Sequence, residues 1–431
     1  MDLLRDSTLG QLVRFVTNNQ CLLYPEEQAG FVYPGNYEGA SLAFVPTPGL
    51  LYKSLIEVPI PGFGTTTPQS IQRDEESSSK QAEAVILVAW YSELDAENPQ
   101  NWSSWKKTMV TAVLSLYTFT VYCASAIYTP SVEGVMNEYG VNHTVSTLGL
   151  SLYVLGYGTG PLAFSPISEI PSIGRNTPYI LSLFFYALMA IPTVLTRSLP
   201  GFLFLRFLTG FLGSPCLATG GATLQDMYSS MKLPYGYTAW VGATFCAPAL
   251  GPVISAFAVT ASGNWRLSLW EVFGMATFTF VVMFLTFPET SAATILLRRA
   301  RRLRKRLGDR RYISQSEISE AKLSSRQTVA NALIRPLQIT VLDPAVLFTN
   351  VYSSYSYGVY YSFFEAFPLV YTDIYGFDLG LTGAAFLSIV GASLLGTLLY
   401  LIYIHWCLVG LITRLLSSYT HRYQPLKILT K

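Results

Sequence analysis

The sequence predicts an all-α protein threaded repeatedly through a membrane. Three observations carry that prediction. Six apolar stretches of about 20 residues each fall between Met109 and Phe287, a length that matches the hydrocarbon thickness of a bilayer. Directly after them comes a dense basic run of Arg298, Arg299, Arg301, Arg302, Arg304, Lys305 and Arg306. Charged residues make up only 13% of the chain against 51% hydrophobic, about half the charged share of an ordinary soluble domain. The formal net charge of +2 averages an acidic amino-terminal region against the basic loop, so by itself it decides nothing.

In chain order, residues 2–16 place Leu4, Leu9, Leu12, Val13 and Val16 roughly on one helical face. That fits a short amphipathic helix lying on the membrane surface, and a loosely structured tail fits the same residues. No cleavable signal is visible. Residues 60–84 are rich in Thr, Ser, Gln and Glu and read as a disordered linker. Residues 1–107 together form a largely disordered cytoplasmic region, and residues 108–289 a six-helix bundle. Within that bundle the spans are placed at 109–128, 147–167, 179–196, 202–224, 237–259 and 268–287. A basic cytoplasmic loop covers 290–343, two more spans lie at 345–367 and 381–403 within a second bundle begun at 344–404, and 405–431 is an atypical tail.

Loop charge gives the orientation. With the amino terminus inside, the cytoplasmic loops carry Arg175, Lys232 and the basic residues from Arg298 to Arg335, while the outer loops carry only Arg197 and Arg266. Asn142, in an Asn-His-Thr triplet, then lies outside as a candidate glycan acceptor. The helix 296–307 carries Leu296, Ala300, Leu303 and Leu307 on one stripe with arginines elsewhere, so anionic inner-leaflet lipid is expected against the run from Arg298 to Arg306, and nucleic acid is not. A plain topology anchor explains the same run.

Small residues recur every fourth position: Gly210, Ser214, Ala218 and Ala222 in the fourth span, Ala243, Ala247, Gly251 and Ser255 in the fifth, Ser388, Ala392 and Gly396 in the eighth. Such spacing lets helix backbones approach closely in lipid. Pro248 and Pro252 each remove a hydrogen bond and predict a kink in the fifth span.

An internal repeat is also visible. Pro130 pairs with Pro368, Tyr139 with Tyr375, Gly156 with Gly391 and Gly160 with Gly396, so the seventh and eighth spans replay the first and second. Two related bundles with a site where they meet is a common transporter plan. The expected replay of the third span fails after His405, where HWCLVGLITRLLSSYTHRYQPLKILTK replaces it, and a truncated or frameshifted second bundle is the expectation.

Chemistry for catalysis is not apparent. The five cysteines show no paired spacing, and the three histidines, His143, His405 and His421, lie in no metal-binding or nucleophile–base pattern. No cofactor, no metal and no enzymatic activity are expected. Arg206, about two turns inside its span, is costly in lipid unless paired or hydrated and marks either a polar pathway or a structural hydrogen bond. The first span holds no Asp or Glu; Glu271 and Glu365 remain near outer span ends, as proton carriers or as snorkelling surface groups. Tyr117, Tyr122, Tyr153 and Tyr157 are placed to line an aromatic cavity for flat, apolar or cationic solutes, or to pack in lipid.

Six segments in order resemble the fungal drug:proton antiporter group of the major facilitator superfamily: DAENPQNW from Asp95, GPLAFSPISEIPSIGRN from Gly160, RFLTGFLGSPCLATGGATLQDMY from Arg206, Gly242 through ALGP at Pro252, PETS from Pro288, and FFEAFP from Phe363. The resemblance covers about residues 95–403. It implies a transporter of major facilitator type that expels drugs, fungicides, toxins or polyamines in exchange for protons by alternating access, as a monomer, mostly at the plasma membrane with the vacuolar membrane as an alternative. It implies a proton-coupling role for Arg206 and antiporter-motif packing at Gly242, Pro248, Gly251 and Pro252. It also implies a conformational latch in the loop holding Glu169, Gly174 and Arg175, for which Asp226 is a plausible partner across the helix ends. A nutrient importer, and a fragment without transport activity, stand as rival readings.

Overall fold

The computed structural model describes residues 2–28, 31, 42–43, 85–320, 334, 338–408 and 410. The expected linker at 60–84 and the tail beyond 410 lie outside the described residues. The amino-terminal segment forms two short helices, α1 (Asp2–Asp6) and α2 (Thr8–Val16), where the sequence predicts one. They part at Ser7, whose hydroxyl leaves the helix pattern to cap α2 by accepting from Gly10 N–H at 3.2 Å. The bundle follows: α3 (Ser104–Ala126), α4 (Val132–Tyr139), α5 (His143–Glu169), α6 (Asn176–Leu195), α7 (Leu199–Gly213), α8 (Pro215–Met227), α9 (Leu233–Ser262) and α10 (Leu267–Thr286). Then come α11 (Ala292–Leu307), α12 (Gln315–Glu320), α13 (Pro344–Pro368), α14 (Leu379–Ala385) and α15 (Leu387–Tyr403).

The long helices begin on side-chain caps that their sequence supplies. Ser103 Oγ accepts from Lys106 N–H at 3.3 Å, Asn142 Oδ1 from Val145 N–H at 2.9 Å, and Asp343 Oδ1 from Ala345 N–H at 2.9 Å. Among the described residues, six helical stretches are long and apolar enough to cross a membrane: Ser104–Tyr139, Asn176–Leu195, Leu199–Met227, Leu233–Ser262, Leu267–Thr286 and Leu379–Trp406. The expected second and seventh spans are also helical, as α5 (27 residues) and α13 (25 residues), but their Gly, Ser and Tyr content keeps them below that apolar threshold.

Two spans read as continuous are interrupted. The fourth divides at Ser214 because Pro215 lacks an N–H and its ring crowds the preceding turn. The eighth divides at Phe386, between α14 and α15. By contrast, α9 runs through Pro248 and Pro252 as one helix.

The described residues form two compact units. In the first, which takes in 2–22, 96–294 and α13 to α15, the core lies where α3, α5, α6, α8, α9 and α10 meet. Within the bundle α5 packs very closely on α7. A Cβ on Gly156 would sit 2.2 Å from Phe207 O, one on Gly210 2.1 Å from Tyr153 O, and one on Gly160 2.0 Å from Ser214 Oγ. Only glycine allows backbones this close. The fifth-span stripe is buried at Ala247, Gly251 and Ser255. The eighth-span stripe is corrected. Ser388 and Ala392 are exposed, and Gly396 lines a cavity against α9 together with Ser393 and Thr397.

The second unit comprises described residues within 23–95 and 295–320. Its sheet has the order β1-β2-β3, with β1 (Leu42–Ala43) antiparallel to β2 (Val85–Val88) and β2 parallel to β3 (Tyr312–Ser314). Ala300 and Leu303 of α11 bury against Val88 and Tyr312. The sequence separates an amino-terminal region from a basic loop, whereas here pieces of both share one small core.

The lipid expectation for this helix is corrected accordingly. Its apolar stripe meets protein, Leu307 is exposed, and several cations of the run are engaged. Arg299 is fully buried, with Nη1 2.7 Å from Asp95 Oδ2 and its guanidinium over the Tyr91 ring. Arg302 pairs with Glu26 at 2.6 Å over the Tyr24 ring, Arg304 with Glu317 at 2.6 Å, and Arg306 donates to Glu26 O and Gln28 O. Burial alone would raise the Glu317 carboxyl, but the Ser314 amide and Arg304 outweigh it and hold the group below its ordinary value.

Candidate transport site

Arg206 sits two turns into α7 and is 1% exposed. Its Nε donates to Gly149 O at 3.0 Å, and its Nη atoms to Ala124 O at 3.3 and 3.4 Å and to Ser125 O at 3.5 Å. The guanidinium lies over Tyr153 (4.6 Å) and Tyr128 (4.9 Å). Among the described residues no carboxylate stands within ion-pair distance of it. A charge at this depth is therefore held by carbonyl dipoles and ring faces alone, which ties α7 to α3 and α5.

The four sequence-predicted tyrosines divide into two pairs. Tyr117 and Tyr153 are fully buried inside the bundle. Tyr117 Oη is 3.1 Å from Ser182 Oγ; Tyr153 donates to Val121 O at 2.9 Å and lies 3.0 Å from Tyr186 Oη. Their cavity-lining assignment is corrected: both are bonded core residues. Tyr122 and Tyr157 instead face α13. Tyr122 meets Tyr157 (5.5 Å between ring centroids) and Tyr357 (6.5 Å), and Tyr357 stacks on Tyr361 (5.4 Å). Tyr157 donates to Tyr361 Oη at 3.0 Å. Sequence reasoning missed Tyr357 and Tyr361, although both stand in the tyrosine-rich run before FFEAFP.

The two carboxylates differ. Glu365 is exposed, 3.8 Å from His143 at the start of α5, which fits a surface group. Glu271 is half-buried on α10, and its Oε2 has no hydrogen-bond partner.

A charged cluster occupies the far end of α6. Arg175 Nε donates to Asp226 Oδ2 at 2.5 Å and Nη2 to Oδ1 at 3.4 Å. Glu289, which sequence reasoning passed over inside its PETS segment, accepts from the N–H groups of Arg175 (3.1 Å), Asn176 (3.4 Å), Thr290 (3.0 Å) and Ser291 (3.0 Å). It thereby satisfies free amides at the amino end of α6, where the helix dipole favours an anion. Gly174 has φ +79°, and a Cβ there would stand 2.2 Å from Glu289 Oε2. Glu169 is exposed and joins no ion pair among the described residues. The nearby amino terminus docks at the same end: Thr8 Oγ1 donates to Asn176 Oδ1 at 3.2 Å, and Lys106 pairs with Asp6 at 2.9 Å.

The four antiporter-motif positions lie on α9. Gly251 abuts α3, where a Cβ would fall 2.8 Å from Cys123 O, and Pro248 and Pro252 are buried beside it. Gly242 faces Thr397 of α15 instead, at the wall of a cavity of about 440 Å³ lined also by Tyr237, Phe245, Ser393 and Tyr400.

The family model described as Major Facilitator Superfamily matches residues 114–423, more than half of the chain. The chain belongs to the major facilitator superfamily. It is 41% identical over 406 residues to the MFS-type transporter pyvG of Aspergillus violaceofuscus, covering 94% of this chain and 73% of that protein. It is 40% identical over 317 residues to Fluconazole resistance protein 1 of Saccharomyces cerevisiae, covering 73% of this chain and 58% of that one. It is 41% identical over 327 residues to Multidrug transporter FLR2 of Candida glabrata, covering 76% and 55%. The chain thus spans little more than half the length of two of these three relatives. Major facilitator proteins are integral membrane transporters of small solutes, so the long helices of the first unit are transmembrane helices. Arg206, the tyrosine cluster, Glu271 and the Arg175–Asp226 pair all fall inside the superfamily match. That match also runs beyond His405, where the internal repeat breaks down.

Proposed function

We propose that this protein is a proton-coupled exporter of small organic compounds that works by alternating access. The observation that carries the reading is the tyrosine cluster, in which Tyr122 and Tyr157 of the first bundle face Tyr357 and Tyr361 of α13, the helix that opens the second. A solute held there touches both moving halves, which is what a transport cycle requires. Names of relatives that refer to fluconazole and multidrug resistance support drug-like cargo. The end carrying Arg175 and Lys232 faces the cytosol, in line with loop charge. The plasma membrane is the proposed location. Asn142 then faces outward, exposed, with its amide oxygen occupied as a helix cap and its nitrogen open to a glycan. In sealed vesicles containing the protein, an imposed pH gradient should accelerate movement of an organic dye. Movement indifferent to the gradient would leave a passive facilitator.

Glu271 is the proposed proton carrier, because it is a half-buried carboxyl within a span whose Oε2 has no fixed hydrogen-bond partner. Glu271→Gln keeps the shape and removes the titration. The variant should fold, and dye movement should no longer respond to the gradient; an unaltered response would dismiss this carboxyl.

The Arg175–Asp226 pair serves as a gate contact that opens and closes with the cycle. The two side chains are mostly sheltered, at 15% and 21% exposure, and their two hydrogen bonds are worth roughly 1–3 kcal/mol, enough to bias an equilibrium without locking it. Asp226→Asn should therefore shift the melting temperature by no more than a few degrees while reducing transport several-fold. A large loss of stability instead would assign the pair to architecture.

A further inference from the structure

Within the tyrosine cluster the hydroxyl protons run in one direction. Ser125 Oγ donates its single proton to Tyr122 O at 2.6 Å. The 2.9 Å contact between Ser125 Oγ and Tyr361 Oη therefore has Tyr361 as donor, since the serine proton is already committed. Tyr361 Oη in turn accepts from Tyr157. The chain is thus Tyr157 to Tyr361 to Ser125 to the Tyr122 carbonyl. It ends on the turn of α3 whose next carbonyls, Ala124 and Ser125, accept from Arg206. Tyr361 belongs to α13 and the other hydroxyls to α3 and α5, so this is a hydrogen-bonded clasp between the two halves. Tyr357, Tyr360 and Phe364 wall it with aromatic faces at ring distances of 5.3–5.7 Å from Tyr361.

Resting on the export reading above, we infer that Tyr361 selects neutral, flat aromatic solutes that carry a hydrogen-bond acceptor, and discriminates against permanent cations. Two features of the site give that selectivity. The Tyr361 hydroxyl is the donor that the second half offers to the first, and an incoming carbonyl oxygen or heteroaromatic nitrogen replaces Ser125 as its acceptor. The adjoining turn already holds the Arg206 guanidinium without a counter-ion, so a second positive charge beside it is repelled in a poorly screened site. A solute that takes the Tyr361 proton also unfastens α13 from α3, which links occupancy to movement of the halves.

The test uses three probes of nearly equal shape: para-phenylpyridine, which offers a neutral ring nitrogen; biphenyl, which offers none; and the N-methylated phenylpyridinium cation. Each is titrated against the purified full chain in detergent at a pH where the pyridine is neutral, with intrinsic fluorescence as the readout. The wild-type protein should bind phenylpyridine roughly tenfold more tightly than either of the others. Tyr361→Phe should erase the advantage of phenylpyridine over biphenyl while leaving biphenyl binding unchanged. Ser125→Ala should act oppositely and strengthen phenylpyridine binding, because it frees the Tyr361 donor from its competitor. A merely structural role for the two residues would not produce opposite signs. Equal or tighter binding of the cation overturns the inference, as does a phenylpyridine-to-biphenyl ratio unaltered by Tyr361→Phe, or failure of the wild type to bind any of the three. In that last case, dye movement in vesicles decides separately whether the export reading falls too.

Discussion

Gly210→Val is expected to abolish a stable folded protein. The new Cβ would stand 2.1 Å from the carbonyl oxygen of Tyr153 and 2.9 Å from its carbonyl carbon, and both obstacles are backbone. No side-chain rotation relieves that clash, so α5 and α7 must separate along their most intimate contact. Overpacking typically costs about 1–3 kcal/mol, and more where, as here, the obstacle is backbone. The damage spreads, because Tyr153 also anchors Val121 O, packs beneath Arg206 and meets Tyr186. Size-exclusion chromatography and thermal unfolding in detergent should show aggregation or a collapse in melting temperature. Gly158→Ala in the same α5 is the matched control, since nothing lies within 4 Å of its added carbon, and it should behave as wild type. If Gly210→Val stays monodisperse with an unchanged melting temperature, the close approach of these helices is wrong.

The helices themselves were legible because lipid demands uninterrupted apolar length, a property that is read along the chain without knowing its neighbours. The break at Ser214 follows from Pro215; the one at Phe386 has no comparable residue to announce it. Which helices touch was far less legible. The packing of α5 on α7 and of α3 on α9 joins non-consecutive spans, and it decides which of four chemically identical tyrosines is core and which faces α13. That is why Tyr117 and Tyr153 were grouped with Tyr122 and Tyr157. Arg175 and Asp226 could be paired in advance because opposite charges at neighbouring helix ends have few other partners in an apolar protein. Glu289 could not, since its partners are backbone amides that leave no mark in the sequence. Strands β2 and β3, 3 to 4 residues long and separated by more than 200 positions, carry too short a pattern to be paired from sequence.

Replacing Arg206 by methionine should separate stability from transport. The guanidinium is buried with carbonyl and ring partners and, among the described residues, no anion, so its desolvation is only partly repaid. Methionine fills similar volume, keeps contact with Tyr128 and Tyr153 through its thioether, and brings no charge. The Gly149 carbonyl lies inside α5, but those of Ala124 and Ser125 lie in the last turn of α3, where helix carbonyls lack intrahelical partners and the arginine is the donor that satisfies them. The melting temperature of Arg206→Met should therefore fall modestly, by the equivalent of about 1–3 kcal/mol for the carbonyls left without a donor. Transport should fall by at least roughly a hundredfold, because the variant loses the charge that holds the α3 turn next to the Tyr361 clasp. Arg206→Lys should not restore it: one ammonium cannot bond two helices while stacking between two rings. A variant that transports normally would reduce Arg206 to packing. One that unfolds would instead make its hydrogen bonds the main clamp on α3, and a membrane protein would then be paying for a buried cation purely with architecture.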